Sequence, residues 1–336
     1  MLDDRQSALV ELGLALLASG YRFVSPTPES HRRVLARGTG AAPGEAPTGE
    51  EPIAEARLVR DAFGWSRPFP ASRLPARLRV LGDAADLFQS DAVDRALVRS
   101  RVRFSTLEGP AGCHLFVHSA YPTTSADAVF FGPDSYRFAA AIRRTVKPAR
   151  RLVDVGCGTG VGGLVLADRV SQIVLADISP RALDFAAVNR AIAARAGGCA
   201  EDRVALCQSD VLASVGGDLD AVIANPPYLI GPDGERGRLY RDGGGELGTG
   251  LASRIVTESL ARLARGRGGQ LVLYTGVPIV DGRNVLQDRL DAPLRAAGAR
   301  WRWEELDPDV FGEELSRPCY HQTERLAAVL LTAELG

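Results

Sequence analysis

Hydrophobic positions follow two rhythms along this chain. In residues 5 to 19, Leu9, Leu12, Leu16 and Leu17 recur at helical spacing, and Gly20 closes the helix they predict. A second helix is expected over 53 to 64. Between them lie Ser25-Pro-Thr-Pro and a Pro/Gly/Ala-rich loop from Gly38 to Pro52. Pro68, Pro70 and Pro75 break up the next stretch, and Asp91 is placed to cap a helix running through Arg99. Two alternating runs, Val102 to Leu107 and His114 to Ser119, flank Glu108-Gly-Pro-Ala-Gly, which predicts a hairpin. Helices succeeded by a hairpin suggest a small α+β, winged-helix-like unit over residues 1–120.

From about residue 121 short apolar runs alternate with helical stretches. Strands are expected at 151–155, 173–177, 204–208, 219–224, 270–274, 300–306 and 326–331. Helices are expected after Phe131 through Arg144 and at 161–169, 180–195, 250–265 and 284–297. Apolar strands separated by helices predict an α/β fold for residues 121–336, a Rossmann-like, seven-stranded, doubly wound sheet. The last strand comes directly after another strand with no helix between, so it is expected to run antiparallel.

Composition narrows the class. At 336 residues, 46% hydrophobic and 24% charged, the chain is an ordinary globular protein long enough for one large and one small domain. The net charge of −1 gives no global attraction to nucleic acid. Lys147 is the sole lysine, so nearly all the positive charge is arginine. Cys113, Cys157, Cys199, Cys207 and Cys319 are scattered without zinc spacing, which predicts reduced thiols, a cytoplasmic location and no metal. No apolar run approaches about 18 residues, so no membrane span is expected. The acidic start, Met1-Leu2-Asp3-Asp4, argues against a signal peptide.

Chemistry collects at predicted strand ends. Leu152-Val-Asp154-Val-Gly156-Cys-Gly158-Thr-Gly160 couples a buried strand to a glycine loop that can bring its backbone against a ligand. Such a loop can hold a dinucleotide phosphate, although the Asp154 carboxylate suits a cation better. Asp177, with Ile178 after it, ends the next strand about 20 residues on, where an acid can accept both hydroxyls of a ribose. Asp210 and Val211 end the third, where an acid and an apolar neighbour can frame an adenine edge. Leu219 to Ala224 then runs into Asn225-Pro226-Pro227-Tyr228, whose prolines stop the strand at once. The Asn225 side-chain oxygen and the Pro226 carbonyl are two acceptors that can hold both hydrogens of a planar NH₂ group, and Tyr228 can stack on it. Cys157 reads as a small filler of the loop, Trp301 and Trp303 as packing, and His114 with His118 as two residues on one strand face.

Asp154-Val-Gly-Cys-Gly-Thr-Gly, Asp177, Asp210 and Asn225-Pro-Pro-Tyr together resemble class I S-adenosylmethionine-dependent methyltransferases over residues 127 to 332. The tetrapeptide is similar to that of release-factor glutamine methyltransferases and of the small-domain rRNA and DNA amino-methyltransferases. Arg241-Asp-Gly-Gly-Gly-Glu-Leu-Gly-Thr-Gly-Leu is similar to a glycine-rich segment of the glutamine enzymes. Where these carry a proline- and glutamate-containing segment, this chain has Phe131-Gly-Pro-Asp-Ser-Tyr136.

The resemblance implies S-adenosylmethionine as cofactor, held by Asp154, Gly156, Gly158, Gly160, Asp177, Ile178, Asp210 and Val211, with Asn225 beside it and Phe131 and Tyr136 covering it. It implies Asn225, Pro226, Pro227 and Tyr228 as the catalytic turn. The expected activity is N-methylation, first of a protein glutamine side chain. The alternatives are an exocyclic amine of an RNA or DNA base, and a non-catalytic cofactor-binding scaffold. An NAD-dependent oxidoreductase leaves Asn-Pro-Pro-Tyr unexplained. Residues 1–120 are expected to present the substrate. They carry fifteen Arg against fourteen Asp plus Glu, a balance of +1. A protein or small-molecule partner is therefore favoured over nucleic acid, and Arg95, Arg99, Arg101 and Arg103 are the one arginine stripe that would argue otherwise.

Overall fold

The computed structural model describes residues 2–37, 51–109, 112–231, 240–264, 266 and 268–336. The chain divides into two compact units. The first comprises Met1–Thr124 together with Val129–Tyr136 and Ala187–Glu201, and the second holds the remainder. Two segments beyond residue 120 thus cluster with the N-terminal unit.

The first unit begins with α1 (Asp4–Ala18), whose start is fixed by a capping box between Asp3 and Gln6. Its end is set by Gly20 at a φ of 76°. α2 (Pro28–Ala36) comes next, with Thr27 as cap and proline in its first turn. α3 (Glu51–Phe63) and α4 (Ala76–Ala84) complete the helices of this stretch. Most of the loop expected from Gly38 to Pro52 lies outside the described residues.

No helix forms from Asp91 to Arg99. Asp91 instead receives the backbone N–H of Val93 and Asp94 on one oxygen, and Asp94 receives that of Ala96. These side-chain turns compete with the helix and place a short pair, β1 (Phe88–Ser90) and β2 (Val98–Ser100), on either side. The predicted hairpin is present as β3 (Val102–Gly109) and β4 (Gly112–Ser119), in register from Val102 opposite Ser119 to Gly109 opposite Gly112. The Asn189 amide bonds both the N–H and the C=O of Val117, tying Ala187–Glu201 to β4.

In the second unit β5 (Ala149–Val155), β6 (Val170–Asp177), β7 (Val204–Gln208) and β8 (Ala221–Ala224) run parallel. β9 (Gly269–Val280), the two-residue β10 (Arg283–Asn284), β11 (Ala299–Asp307) and β12 (Arg325–Leu335) complete the sheet. The strand order is β11-β12-β9-β8-β5-β6-β7, with β12 antiparallel to both neighbours. This is the Rossmann-like sheet expected, with its antiparallel last strand. α5 (Pro133–Thr145) precedes β5, and α6 (Val161–Leu164), α7 (Pro180–Arg195), α8 (Gly250–Arg262) and α9 (Val285–Ala296) lie between strands. Ile255 and Val256 of α8 and Leu286, Leu290 and Leu294 of α9 pack on Val222, Leu271, Leu273, Val329 and Leu331 of the sheet.

α6 is four residues long where nine were expected. Beyond it Leu166 and Ala167 bond back three residues, to Gly163 and Leu164, so the helix tightens into turns. Among the described residues no helix is long and apolar enough to cross a membrane, and no cluster of three or more His, Cys, Asp or Glu could hold a metal.

Candidate active site

The site residues of the second unit are brought together by register. Val155 pairs with Ala224 on one side and with Ala176 on the other. The next residue of each strand is therefore Gly156, Asn225 and Asp177. Three neighbouring strands, spaced about 4.8 Å apart, end at one level with a glycine, an amide and an acid.

After β5 the chain must reverse sharply. Gly156, Gly158 and Gly160 have φ values of 68°, 54° and 77°, in the left-handed region that side chains disfavour. The N–H groups of Gly156 and Cys157 both donate to the Ala176 carbonyl, at 2.8 and 3.0 Å, which staples the loop to the end of β6. Gly162 answers a different need. A Cβ there would lie 2.7 Å from both Asp154 Oδ2 and Phe138 Cε1, so only glycine lets α6 approach β5 this closely.

Asp154 is 1% exposed and lies beneath the loop, where its Oδ2 accepts the Gly163 N–H at 2.9 Å. Burial pushes its carboxyl up to about 7; the Gly163 hydrogen bond opposes the shift and the negative Asp177 adds to it. Asp177 is buried too. Its Oδ2 accepts the Gly158 N–H and its Oδ1 the Ser179 N–H, both at 2.9 Å. Burial raises its pKa as well, against those bonds. Neither acid has an ion-pair partner among the described residues, so the loop presents two uncompensated carboxyl groups. The same burial and the same two acids raise the Cys157 thiol far above its ordinary value, which makes it an inert filler.

Ile178 is 52% exposed beside Asp177, an unusual position for a large apolar side chain. Asp210 is exposed and ion-paired: Arg254 of α8 donates to its Oδ1 at 2.8 Å and also pairs with Glu258. Val211 is buried with a φ of 51°.

The turn after β8 is rigid on all sides. Asn225 is half-buried, with no side-chain partner among the described residues, and Pro226 is buried. The Tyr228 ring packs edge-to-face on Phe311 at 5.9 Å and over Gly276, where a Cβ would meet it at 2.2 Å. The glycine-rich stretch lies against the same residue. A Cβ on Gly243 would meet Tyr228 Cα at 2.7 Å, and one on Gly248 would meet the Tyr228 carbonyl oxygen at 2.2 Å. Beyond Tyr228, Leu229 N–H donates to the Arg241 carbonyl and Gly243 N–H to the Leu229 carbonyl, both at 2.9 Å.

Sequence reasoning missed the residues that hold this turn from the far side. Arg317 donates to the carbonyls of Ile230 and Gly231, at 2.8 and 3.0 Å, and to Glu314 at 2.7 Å. Glu314 also pairs with Arg241, and the Tyr320 hydroxyl accepts the Ile230 N–H at 2.8 Å. Apart from Glu314 and Arg317, three residues apart, these partners lie 73 to 90 residues apart in the chain, so no local pattern ties them to the turn.

Phe131 and Tyr136, expected to cover the cofactor, pack with the hairpin that precedes them. Both belong to the first unit. Phe131 is fully buried, stacked on Phe116 and His118 with centroids 5.3 Å away and edge-to-face with Tyr136 at 5.2 Å. Phe131 thus has no open surface, whereas Tyr136 is half-buried. The Tyr136 hydroxyl accepts the Ser25 N–H at 3.0 Å. The arginine stripe does not form either. Arg99 is tied to Asp91 and the Ser66 carbonyl, and Arg103 is buried, leaving only Arg95 and Arg101 exposed.

Residues 137–273 match the model of the family described as methyltransferase small domain. Residues of this chain align with a release factor glutamine methyltransferase of Deinococcus radiodurans at 33% identity, over 52% of this chain and 58% of that protein. A ribosomal RNA small subunit methyltransferase C of Chromohalobacter salexigens aligns at 36% identity over 37% of this chain and 31% of its own. A tRNA1(Val) (adenine(37)-N6)-methyltransferase of Tolumonas auensis aligns at 31% identity over 42% and 56%. This chain therefore spans between about a third and three fifths of the curated relatives it matches.

Proposed function

Because residues 137–273 match the methyltransferase small domain, we propose that this chain transfers a methyl group from S-adenosylmethionine to a planar amide or amino nitrogen. The observation that carries the reading is the common level at which Gly156, Asp177 and Asn225 leave three adjacent strands. S-adenosylmethionine, when bound, supplies an electrophilic methyl group on a sulfonium cation.

The residues present fit that group. Two buried acids without a cation, Asp154 and Asp177, favour positive charge at the loop. Each Asp177 oxygen accepts one N–H and keeps lone pairs for two ribose hydroxyls. Gly156, Gly158 and Gly160 bring backbone, without side chains, against the ligand. Ile178, Asp210 and Val211 border the base, with Arg254 fixing the Asp210 carboxylate.

On the acceptor side, Asn225 Oδ1 and the Pro226 carbonyl take the two hydrogens of the acceptor NH₂. That turns its delocalised lone pair toward the methyl carbon. The N–C bond forms as the C–S bond breaks, and the surplus proton leaves the nitrogen. Pro227 and the packing of Tyr228 hold both acceptors still.

A protein glutamine side chain is the acceptor this reading places first. The near-neutral charge and the loss of the arginine stripe to ion pairing and burial support it. A relative named for release factor glutamine methylation supports it over a little more than half its length. A base amine is the second reading, favoured by the RNA-methylating relatives. A non-catalytic scaffold would have no use for the unengaged Asn225 amide. Transfer of tritium from labelled cofactor into fractionated extract tests all three. Protease-sensitive label supports the first, nuclease-sensitive label the second, and no transfer together with measured cofactor binding supports the scaffold.

A further inference from the structure

The first unit contains a buried positive charge without a counter-ion. Arg103 of β3 is 3% exposed and stands directly opposite His118 of β4. A guanidinium removed from water requires an anion or a full set of acceptors. Three half-buried arginines of this unit meet that need: Arg67 pairs with Asp61, Arg99 with Asp91 and Arg190 with Glu201. Arg103 pairs with no acid among the described residues. Its Nε donates to the Ser119 carbonyl at 3.3 Å, its Nη1 lies 3.5 Å from His31 Nδ1, and its Cζ sits 6.0 Å from the Tyr121 ring centre.

None of these neighbours supplies negative charge. His31 Nε2 is 2.8 Å from the Trp65 carbonyl, so that nitrogen carries the proton and Nδ1 offers a lone pair to Arg103. Burial lowers the His31 pKa to about 4, and burial raises the Tyr21 and Tyr136 hydroxyls, so all three are neutral at pH 7. The remaining charges that act on this cluster are Arg60 and Arg67, both positive. Of the five guanidinium N–H groups, two have an acceptor and three do not, including both on Nη2. A second unmet atom lies across the hairpin. His118 Nδ1 is buried without a partner, while its Nε2 contacts Ser105 Oγ at 2.8 Å. Aromatic surface borders the cluster, with Tyr121 stacked on His31 at 4.0 Å and Trp65 beside it at 5.1 Å.

We propose that the first unit binds a single oxyanion, the carboxylate or phosphate group of a small ligand, on the Arg103 guanidinium. The free N–H groups of Nη1 and Nη2 match two oxygens of such a group. One enclosed guanidinium cannot track a polyanion, which needs a row of exposed cations, so the ligand carries its charge at one end. The inference stands on the first unit alone and is independent of the methyl-transfer reading.

The test is thermal denaturation of the full chain in low-chloride buffer, titrated separately with sodium phosphate and with sodium acetate. One of the two is expected to raise the melting temperature saturably, by about 2–4 °C at tenfold excess over its dissociation constant. The larger effect identifies the group. R103M is expected to lose most of that rise, and without added anion to melt no lower than the wild type, since an unpaired charge has been replaced by an apolar chain of similar length. The proposal is overturned by the absence of a saturable rise in the wild type, by an equal rise in R103M, or by a ligand-free R103M that melts well below the wild type. An independent readout uses the wild type alone. Nitrogen-15 resonances of its buried guanidinium shift on adding the anion if the site is real and stay fixed if it is not.

Discussion

Asp154→Asn isolates the acid beneath the glycine loop. In the folded protein burial holds the Asp154 carboxyl near 7, against an ordinary value of 3.8. Between those two pH values the folded state binds a proton that the unfolded chain has released. Its contribution to stability is therefore intact below about pH 4 and is lost as pH rises to about 7. The difference is roughly three pH units, which at about 1.4 kcal/mol per unit sets a ceiling of about 4 kcal/mol. Asn keeps the shape of the side chain and an oxygen for the Gly163 N–H but cannot ionise. Urea denaturation from pH 4.5 to 8 is expected to show the wild type losing stability relative to D154N by on the order of 2–4 kcal/mol. Groups titrating alike in both proteins cancel in that comparison. Binding gives a second readout. The sulfonium cofactor is positively charged and its demethylated thioether product is not at that atom, so their affinity ratio should rise with pH in the wild type and stay flat in D154N. Parallel stability curves and a flat ratio in both proteins would refute the claim that this carboxyl is the electrostatic floor of the loop.

The other expectations concern residues at the strand ends. Asp177→Ala removes the acceptors assigned to the ribose and should weaken cofactor binding by about 2–4 kcal/mol by calorimetry; unchanged affinity would show that Asp177 has another role. Asn225→Ala should abolish turnover and leave cofactor affinity within a few-fold, and near-normal turnover would remove Asn225 from the mechanism. Gly162→Ala places a methyl group 2.7 Å from Asp154 and Phe138 and should destabilise the protein by about 1–3 kcal/mol in urea. Arg317→Met frees the carbonyls of Ile230 and Gly231 and should lower kcat/KM for the acceptor about tenfold or more, with cofactor affinity unchanged.

The middle of the sheet was legible because β5, β6 and β8 are short apolar runs that give way abruptly to Gly156, Asp177 and Asn225-Pro, the residues proposed for the site. The features that escaped reading did so for physical reasons. α2 and α4 are nine residues each, too short to show a convincing period among their charged positions. Asp91 carries the residue type of a helix cap, and the choice between cap and side-chain turn is made by the neighbouring Asp94 and by β2. The helix expected at 180–195 is present as α7, yet its second half serves the other unit through Asn189, a contact 72 residues away in sequence. Phe131 and Tyr136 were read by their position before the first strand of the sheet, whereas their packing is set by Phe116 and His118 of the hairpin. Arg317 carries no local signal because its acceptors are backbone carbonyls 86 and 87 residues earlier.

The order of strands also governs how the protein comes into being. β12 comes after β11 in the chain but lies between β11 and β9 in the sheet. Until it emerges from the ribosome, β9 has an open edge along Gly269 to Val280, and β11 has nothing to pair with. Until β12 is made, the nascent chain thus carries a long, apolar, unpaired strand, the kind of surface on which chains associate wrongly. Arg317 and Tyr320, which hold the backbone after the Asn225-Pro-Pro-Tyr turn, lie in the stretch between β11 and β12. The glycine loop after β5 can close early from contiguous segments, whereas the backbone after Tyr228 is held only once Arg317 and Tyr320 are present. Competence to act on a substrate would then be among the last properties the folding protein acquires.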